Sequence, residues 1–168
     1  MGTLRNGMKA PAFTLPASDG TTVSLGDFAG RRIVLYFYPK DDTPGCTVEA
    51  CGFRDRQEAL TGQAAVVLGI SPDSVASHQR FSAKFTLPFL LLSDEERTVC
   101  KAYGVWVKKS MYGRTYLGVA RTTFVIGPDG RIEEIYAHVK PQGHAEAVLA
   151  FLRSGQRKPQ AAARRARR

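Results

Sequence analysis

The stretch Ile33-Val34-Leu35-Tyr36-Phe37-Tyr38-Pro39-Lys40-Asp41-Asp42-Thr43-Pro44-Gly45-Cys46 contains a strand, a loop and a helix start in immediate succession. The unbroken β-branched, leucine and aromatic run 33–38 predicts a strand buried on both faces, at the centre of a sheet. Proline and polar residues at 39–42 predict a tight loop. Thr43 suits an N-cap and Pro44 the first helical position, so Cys46 falls in the first turn. A thiol there meets unpaired backbone N–H groups and the positive end of the helix dipole. Both favour thiolate, the nucleophilic form. Cys51 follows on the same helix.

Working outward, Phe13–Leu15 and Thr22–Leu25 flank Pro16-Ala17-Ser18-Asp19-Gly20 and read as an N-terminal hairpin. The helix that starts at Pro44 is expected to run to about Leu60. Ala64–Ile70 reads as a second buried strand, Ser74–Lys84 as a helix and Phe89–Leu92 as a short apolar run. Ser93-Asp94-Glu95-Glu96 has capping-box spacing and is expected to open a helix through Ala102. Val119–Ile126 and Ile132–Ala137 flank Gly127-Pro128-Asp129-Gly130, a tight-turn sequence, and predict an antiparallel hairpin. Gly143–Arg153 closes the pattern as an amphipathic helix through Val148, Leu149 and Leu152. Strand–helix alternation followed by a hairpin and a final helix specifies an α/β sandwich with a mixed central sheet.

The chain has 168 residues, 43% of them hydrophobic, enough for one domain with a sizeable core. It has no apolar run long enough for a transmembrane helix, and residues 1–7 lack the apolar core of a signal peptide, so a cytoplasmic location and no membrane partner are expected. Three cysteines are an odd number and do not describe a secreted disulfide framework. The net charge of +9 is concentrated at one end. Arg153, Arg157, Lys158, Arg164, Arg165, Arg167 and Arg168 supply seven of the 24 basic groups, leaving 17 against 15 acids elsewhere. Residues 1–153 are therefore assigned to a single domain, and 154–168 to a basic, low-complexity tail expected to be disordered.

The run from Tyr36 to Cys51 resembles the active site of peroxiredoxins, and more narrowly of the bacterioferritin comigratory protein, or Q-type, branch. The similarity extends over most of residues 6–153, through Gly69-Ile70-Ser71, Leu92-Ser93-Asp94, Tyr103-Gly104-Val105-Trp106 and Arg121-Thr122-Thr123-Phe124. The family spacing of proline, threonine and cysteine is met by Pro39, Thr43 and Cys46. The resemblance implies a thioredoxin-like fold and a thiol peroxidase acting on hydrogen peroxide and organic hydroperoxides, without metal, haem or flavin. It also implies roles. Cys46 is the nucleophile that becomes a sulfenic acid. Thr43 and Arg121, with Gly45 beside Cys46, form the peroxide site, and Pro39 shapes its wall and limits water. Glu49 matches a position that orients the arginine. Cys51 is the implied resolving cysteine, and thioredoxin or a similar dithiol the implied reductant.

On an ideal helix, residues five apart have Cα atoms about 8.7 Å apart. A disulfide needs about 4.4–6.8 Å. Oxidation is therefore expected to unwind residues 46–51 locally, aided by Gly45 and Gly52. Cys100 reads as a buried helix residue and remains a rival resolver. His78, His138 and His144 have no metal spacing with the cysteines and read as surface or locally bonded. There is no C-x-x-C motif, and no proline immediately precedes the strand after Arg121, which argues against a thioredoxin-type dithiol site.

Two other functions compete with this reading, one through the same Cys46 chemistry and one through the tail. A redox sensor would pass oxidation at Cys46 to a partner protein and would lack fast recycling by thioredoxin. A nucleic-acid accessory role would rest on Arg164-Arg165-Ala166-Arg167-Arg168, for which a solvated tail is the preferred reading. The chain shows no extended C-terminal arm with a late cysteine, such as obligate-dimer peroxiredoxins use, and the resemblance to the Q-type branch implies a monomer.

Overall fold

The computed structural model describes residues 3–155. Its centre is a mixed five-stranded sheet in the order β5-β4-β3-β8-β9. Strand β3 (Arg32–Phe37) lies in the middle, parallel to β4 (Ala65–Ser71), which is parallel to β5 (Leu90–Ser93). On its other side β3 pairs antiparallel with β8 (Thr122–Ile126), and β8 with β9 (Ile132–Tyr136). Strands β1 (Thr14–Pro16) and β2 (Thr22–Ser24) form the expected N-terminal hairpin.

The central strand explains the layering. Successive side chains point to opposite faces. Ile33, Leu35 and Phe37 enter a core with Leu15 and Val23 of the hairpin and with Cys100 and Tyr103. Val34, Tyr36 and Tyr38 enter a second core on the other face. There they meet Cys46, Ala50 and Phe53 of α1 (Pro44–Asp55), Phe81 of α3 (Val75–Phe85), and Val148, Leu149 and Leu152 of α5 (His144–Gly155). Both faces of β3 are thus dry, as its unbroken apolar run required.

The long helix expected from Pro44 to Leu60 is broken. Helix α1 ends at Asp55, Arg56 takes a non-helical ψ of 16°, and α2 (Gln57–Gly62) restarts with Leu60 turned fully into the core. Helix α3 is capped by Ser74, whose hydroxyl accepts from the Ser77 N–H. The capping box at Ser93–Glu96 does not form. Ser93 still belongs to β5, paired with Ser71, and its hydroxyl donates to the Asp73 carbonyl. Asp94 does the capping instead, its carboxylate accepting from the N–H groups of Val99 and Cys100 in α4 (Thr98–Ala102).

Val119–Ile126 is two elements, not one strand. Val119 ends β7 (Arg114–Val119), which forms a hairpin with β6 (Trp106–Met111) through Tyr112 and Gly113, both at positive φ. Most residues of this hairpin are exposed or half-buried, so it carries no clean apolar alternation. The break at Ala120–Arg121 frees Arg121 from the β7 ladder and sets it immediately before β8. The Gly127–Gly130 turn closes as expected, with the Gly130 N–H donating to the Gly127 carbonyl. Helix α5 runs to Gly155, beyond the expected end at 153, and the rest of the basic tail lies outside the described residues. No helix among the described residues is long and apolar enough to cross a membrane.

Candidate active site

Helix α1 carries Cys46, Glu49, Ala50 and Phe53 on its buried face. These positions are spaced three, four and seven residues from Cys46, one stripe of an α-helix. Strand β3 leads into the loop before α1, and β8 lies beside β3. The topology therefore brings Arg121, immediately before β8, against the first turns of α1.

The geometry there is specific. Arg121 Nη1 donates to Glu49 Oε1 at 2.7 Å, and Nη2 donates to Cys46 Sγ at 3.5 Å. The planar guanidinium fork can hold both partners at once, which a lysine cannot. Cys46 is only 1% exposed. A β-carbon on Gly45 would come to 3.0 Å from Arg121 Nη2, so glycine at this position lets the guanidinium approach the helix. Burial works against the Arg121 cation, but Cys46 and Glu49 outweigh it and hold its pKa above the ordinary value. Glu49 is pushed up to about 7 by burial, which outweighs the nearby guanidinium. Its Oε2 is buried and has no hydrogen-bond partner. The Tyr36 hydroxyl behind the site is likewise buried and unpartnered; burial, then the charges of Glu49 and Cys46, push its pKa well up.

Thr43 stands at the N-cap of α1, and Pro44 occupies the first turn. Contrary to the capping expected of it, its hydroxyl does not accept from the helix. It donates to the Lys40 carbonyl at 2.9 Å, so the threonine ties the loop to itself. Pro39 is half-buried between the end of β3 and this loop. Sequence reasoning missed Lys109. It is half-buried on β6; burial and then Arg121 lower its pKa while Cys46 opposes them, which puts a second cation within electrostatic reach of the thiol. Its signal was hidden because the β6–β7 hairpin itself was not legible.

Cys51 is half-buried on α1 and unbonded. Five residues from Cys46, it lies about 140° around the helix from it. With α1 continuous from Pro44 to Asp55, the two thiols do not share a face. Cys100 is fully buried in the opposite core, and burial, reinforced by Asp94, drives its pKa far up. His78 and His144 are buried rather than on the surface. The His144 Nε2 pairs with the Thr123 hydroxyl at 2.8 Å, and burial lowers its pKa to about 4. Ligand atoms of Asp41, Asp73 and His78 lie within 4.8 Å of one another, a spacing that suits a cation. The Asp41 and His78 atoms and Asp73 Oδ2 are, however, already engaged in hydrogen bonds within the protein.

The AhpC/TSA family model matches residues 6–135. Peroxiredoxin Bcp of Escherichia coli is 47% identical over 153 residues, covering 91% of this chain and 98% of the relative. Peroxiredoxin Bcp of Bacillus subtilis is 46% identical over 151 residues, covering 90% and 96%. Among solved structures, the bacterioferritin comigratory protein of Xanthomonas campestris superposes with a TM-score of 0.82 at 43% identity, covering 85% of this chain and 91% of that one. A PrxQ variant from Xylella fastidiosa gives 0.88 at 39% identity, covering 93% and 99%. On these matches the chain belongs to the AhpC/TSA family, as a thiol peroxidase of its Bcp/PrxQ peroxiredoxin branch.

Proposed function

We propose that Cys46 is the peroxidatic nucleophile and Cys51 its resolving partner, in a cycle closed by thioredoxin or a similar dithiol. The observation that carries this reading is the Arg121 fork, which joins the Cys46 sulfur to the buried Glu49 carboxylate. In the first step the Cys46 thiolate attacks one peroxide oxygen. The S–O bond forms, the O–O bond breaks, and the second oxygen leaves with a proton as water or an alcohol. Arg121 faces the reacting atoms and stabilises negative charge as it shifts from sulfur to the leaving oxygen. The Thr43 hydroxyl spends its hydrogen on the hydrogen bond to the Lys40 carbonyl, so its oxygen is an acceptor for the O–H of the peroxide. Gly45 leaves room for the arginine, and Pro39 adds a wall without a free N–H.

In the second step α1 unwinds locally, and the Cys51 sulfur attacks the Cys46 sulfenic acid. The S–S bond forms and water leaves. Cys100 is the poorer resolver because it is sealed in the opposite core. Three unpaired thiols fit a reducing compartment, so the proposed setting is the cytoplasm, with the protein acting as a monomer. The test is a non-reducing peptide mass map after one equivalent of hydrogen peroxide. A Cys46–Cys51 disulfide is expected. A Cys46–Cys100 disulfide moves the resolver, oxidised Cys46 with free partners gives a one-cysteine cycle, and three untouched thiols overturn the reading.

A further inference from the structure

His78 and Asp41 form a buried pair that the peroxide chemistry does not use directly. His78, on α3, is fully buried. Its Nδ1 lies 2.7 Å from Asp41 Oδ2, and its Nε2 lies 3.0 Å from the Leu92 carbonyl oxygen. Both partners are acceptors. Asp41 also accepts from the Tyr38 hydroxyl at 2.6 Å and the Ser77 hydroxyl at 2.8 Å. Each ring nitrogen therefore faces an acceptor, Nδ1 the Asp41 carboxyl group and Nε2 the Leu92 carbonyl oxygen.

Asp41 sits in the loop that delivers the active site. Its own N–H donates to Asp73 Oδ2 at 2.8 Å, and Asp73 is braced by the Ser71 hydroxyl at 2.7 Å. The next residue, Asp42, is in the left-handed region at φ 57°, a conformation that persists where surroundings over-determine it. Thr43 follows, tied to Lys40, and then the first turn with Cys46. Helix α3 and strands β4 and β5 thus grip the loop through Asp41, on the side away from Arg121.

We propose that His78 is a positioning residue for peroxide reduction: by holding Asp41 it fixes the loop 39–43 in the form that presents Thr43 and Cys46 to peroxide, and it opposes the unwinding that lets Cys46 reach Cys51. The proposal rests on the reading of Cys46 as nucleophile and Cys51 as resolver. It makes the same pair favour the first chemical step and restrain the second. Loosening the pair slows sulfenic acid formation. It also shortens the life of the sulfenic acid, so less of it meets a second peroxide and becomes sulfinic acid with release of another water or alcohol.

Two substitutions separate the two ring nitrogens. In H78N the amide N–H stands near the place of Nδ1 and keeps a donor for Asp41. In H78Q it stands near the place of Nε2 and keeps a donor for Leu92. The rate of Cys46 oxidation is measured by competition with horseradish peroxidase for hydrogen peroxide, and the disulfide-to-sulfinic ratio at high peroxide by mass spectrometry, with wild type and C46S alongside. The expected result is near wild-type behaviour for H78N. For H78Q, oxidation should be about tenfold slower, the scale of a small misplacement of reacting groups, with a raised disulfide-to-sulfinic ratio. Equal behaviour of the two variants, or H78N as the slower one, overturns the proposal. So does a slower H78Q whose disulfide-to-sulfinic ratio is unchanged, because a general loss of folding would act on rate alone. A wild type as slow as C46S overturns the parent reading and this one with it.

Discussion

Two buried groups beside the active site are expected to pull stability in opposite directions over nearly the same pH range. Glu49 rises from 4.5 to about 7 on folding, chiefly through burial. The folded protein then holds a proton that the unfolded chain releases, so stability falls as pH rises from about 4.5 to 7 and is level above that. His144 falls from 6.5 to about 4, again chiefly through burial, with Arg121 adding to it. There the unfolded chain binds the extra proton, so stability is lost as pH falls from about 6.5 to 4. At 1.36 kcal/mol per unit, each shift corresponds to about 3 kcal/mol. The wild type should therefore show a flat profile across this range, because the two slopes nearly cancel. Glu49→Gln keeps an acceptor for Arg121 but removes the titration. Its stability relative to wild type should improve by about 3 kcal/mol between pH 4 and pH 8. His144→Gln should show the mirror image, losing its advantage as pH rises. The assay is urea unfolding from pH 4 to 8 with all thiols reduced, followed by circular dichroism. A Glu49→Gln profile parallel to wild type would refute the reasoning, since Glu49 would then titrate alike in the folded and unfolded chain.

Gly45→Ala places a methyl 3.0 Å from Arg121 Nη2 while improving helix propensity, so stability and activity should part. The unfolding midpoint should hold or rise, and peroxide reduction should slow by about tenfold as the guanidinium tip shifts. Arg121→Lys cannot hold Glu49 and Cys46 together; stopped-flow peroxide reduction should fall by about a hundredfold, and a loss below threefold would place charge stabilisation elsewhere. Cys100, buried with its pKa driven up, should resist iodoacetamide at pH 8 in the folded protein, and Cys100→Ser should leave the oxidation rate unchanged; fast labelling would show that its core opens.

Much of the fold was written locally. The apolar run at 33–38 required a strand with two dry faces, and both cores form on it. Thr43, Pro44 and Cys46 required a helix start, and α1 begins at Pro44. The N-terminal and Gly127–Gly130 hairpins and the flanking helices follow from turn chemistry and apolar spacing. Where the reading failed, a long-range contact had overridden a local preference. Ser93 had the spacing of a cap, but its hydroxyl goes to Asp73, twenty residues away in sequence. Val119–Ile126 looked continuous because only the β6–β7 hairpin, exposed and weakly patterned, divides it.

The sequence by itself determined that a cysteine would open a helix after a buried strand, because capping, proline placement and hydrophobic runs act over a few residues. It could not determine what faces that cysteine. Arg121 is 75 residues from Cys46, and as a strand residue read alone it has no reason to meet a thiol. The neighbouring registers of β3 and β8 bring it there. The same holds for His78 and Asp41, 37 residues apart and joined only because α3 packs behind the loop. Charge pairing and burial depend on distance in space, so the reactive atom was legible in the chain and its electrostatic surroundings were not.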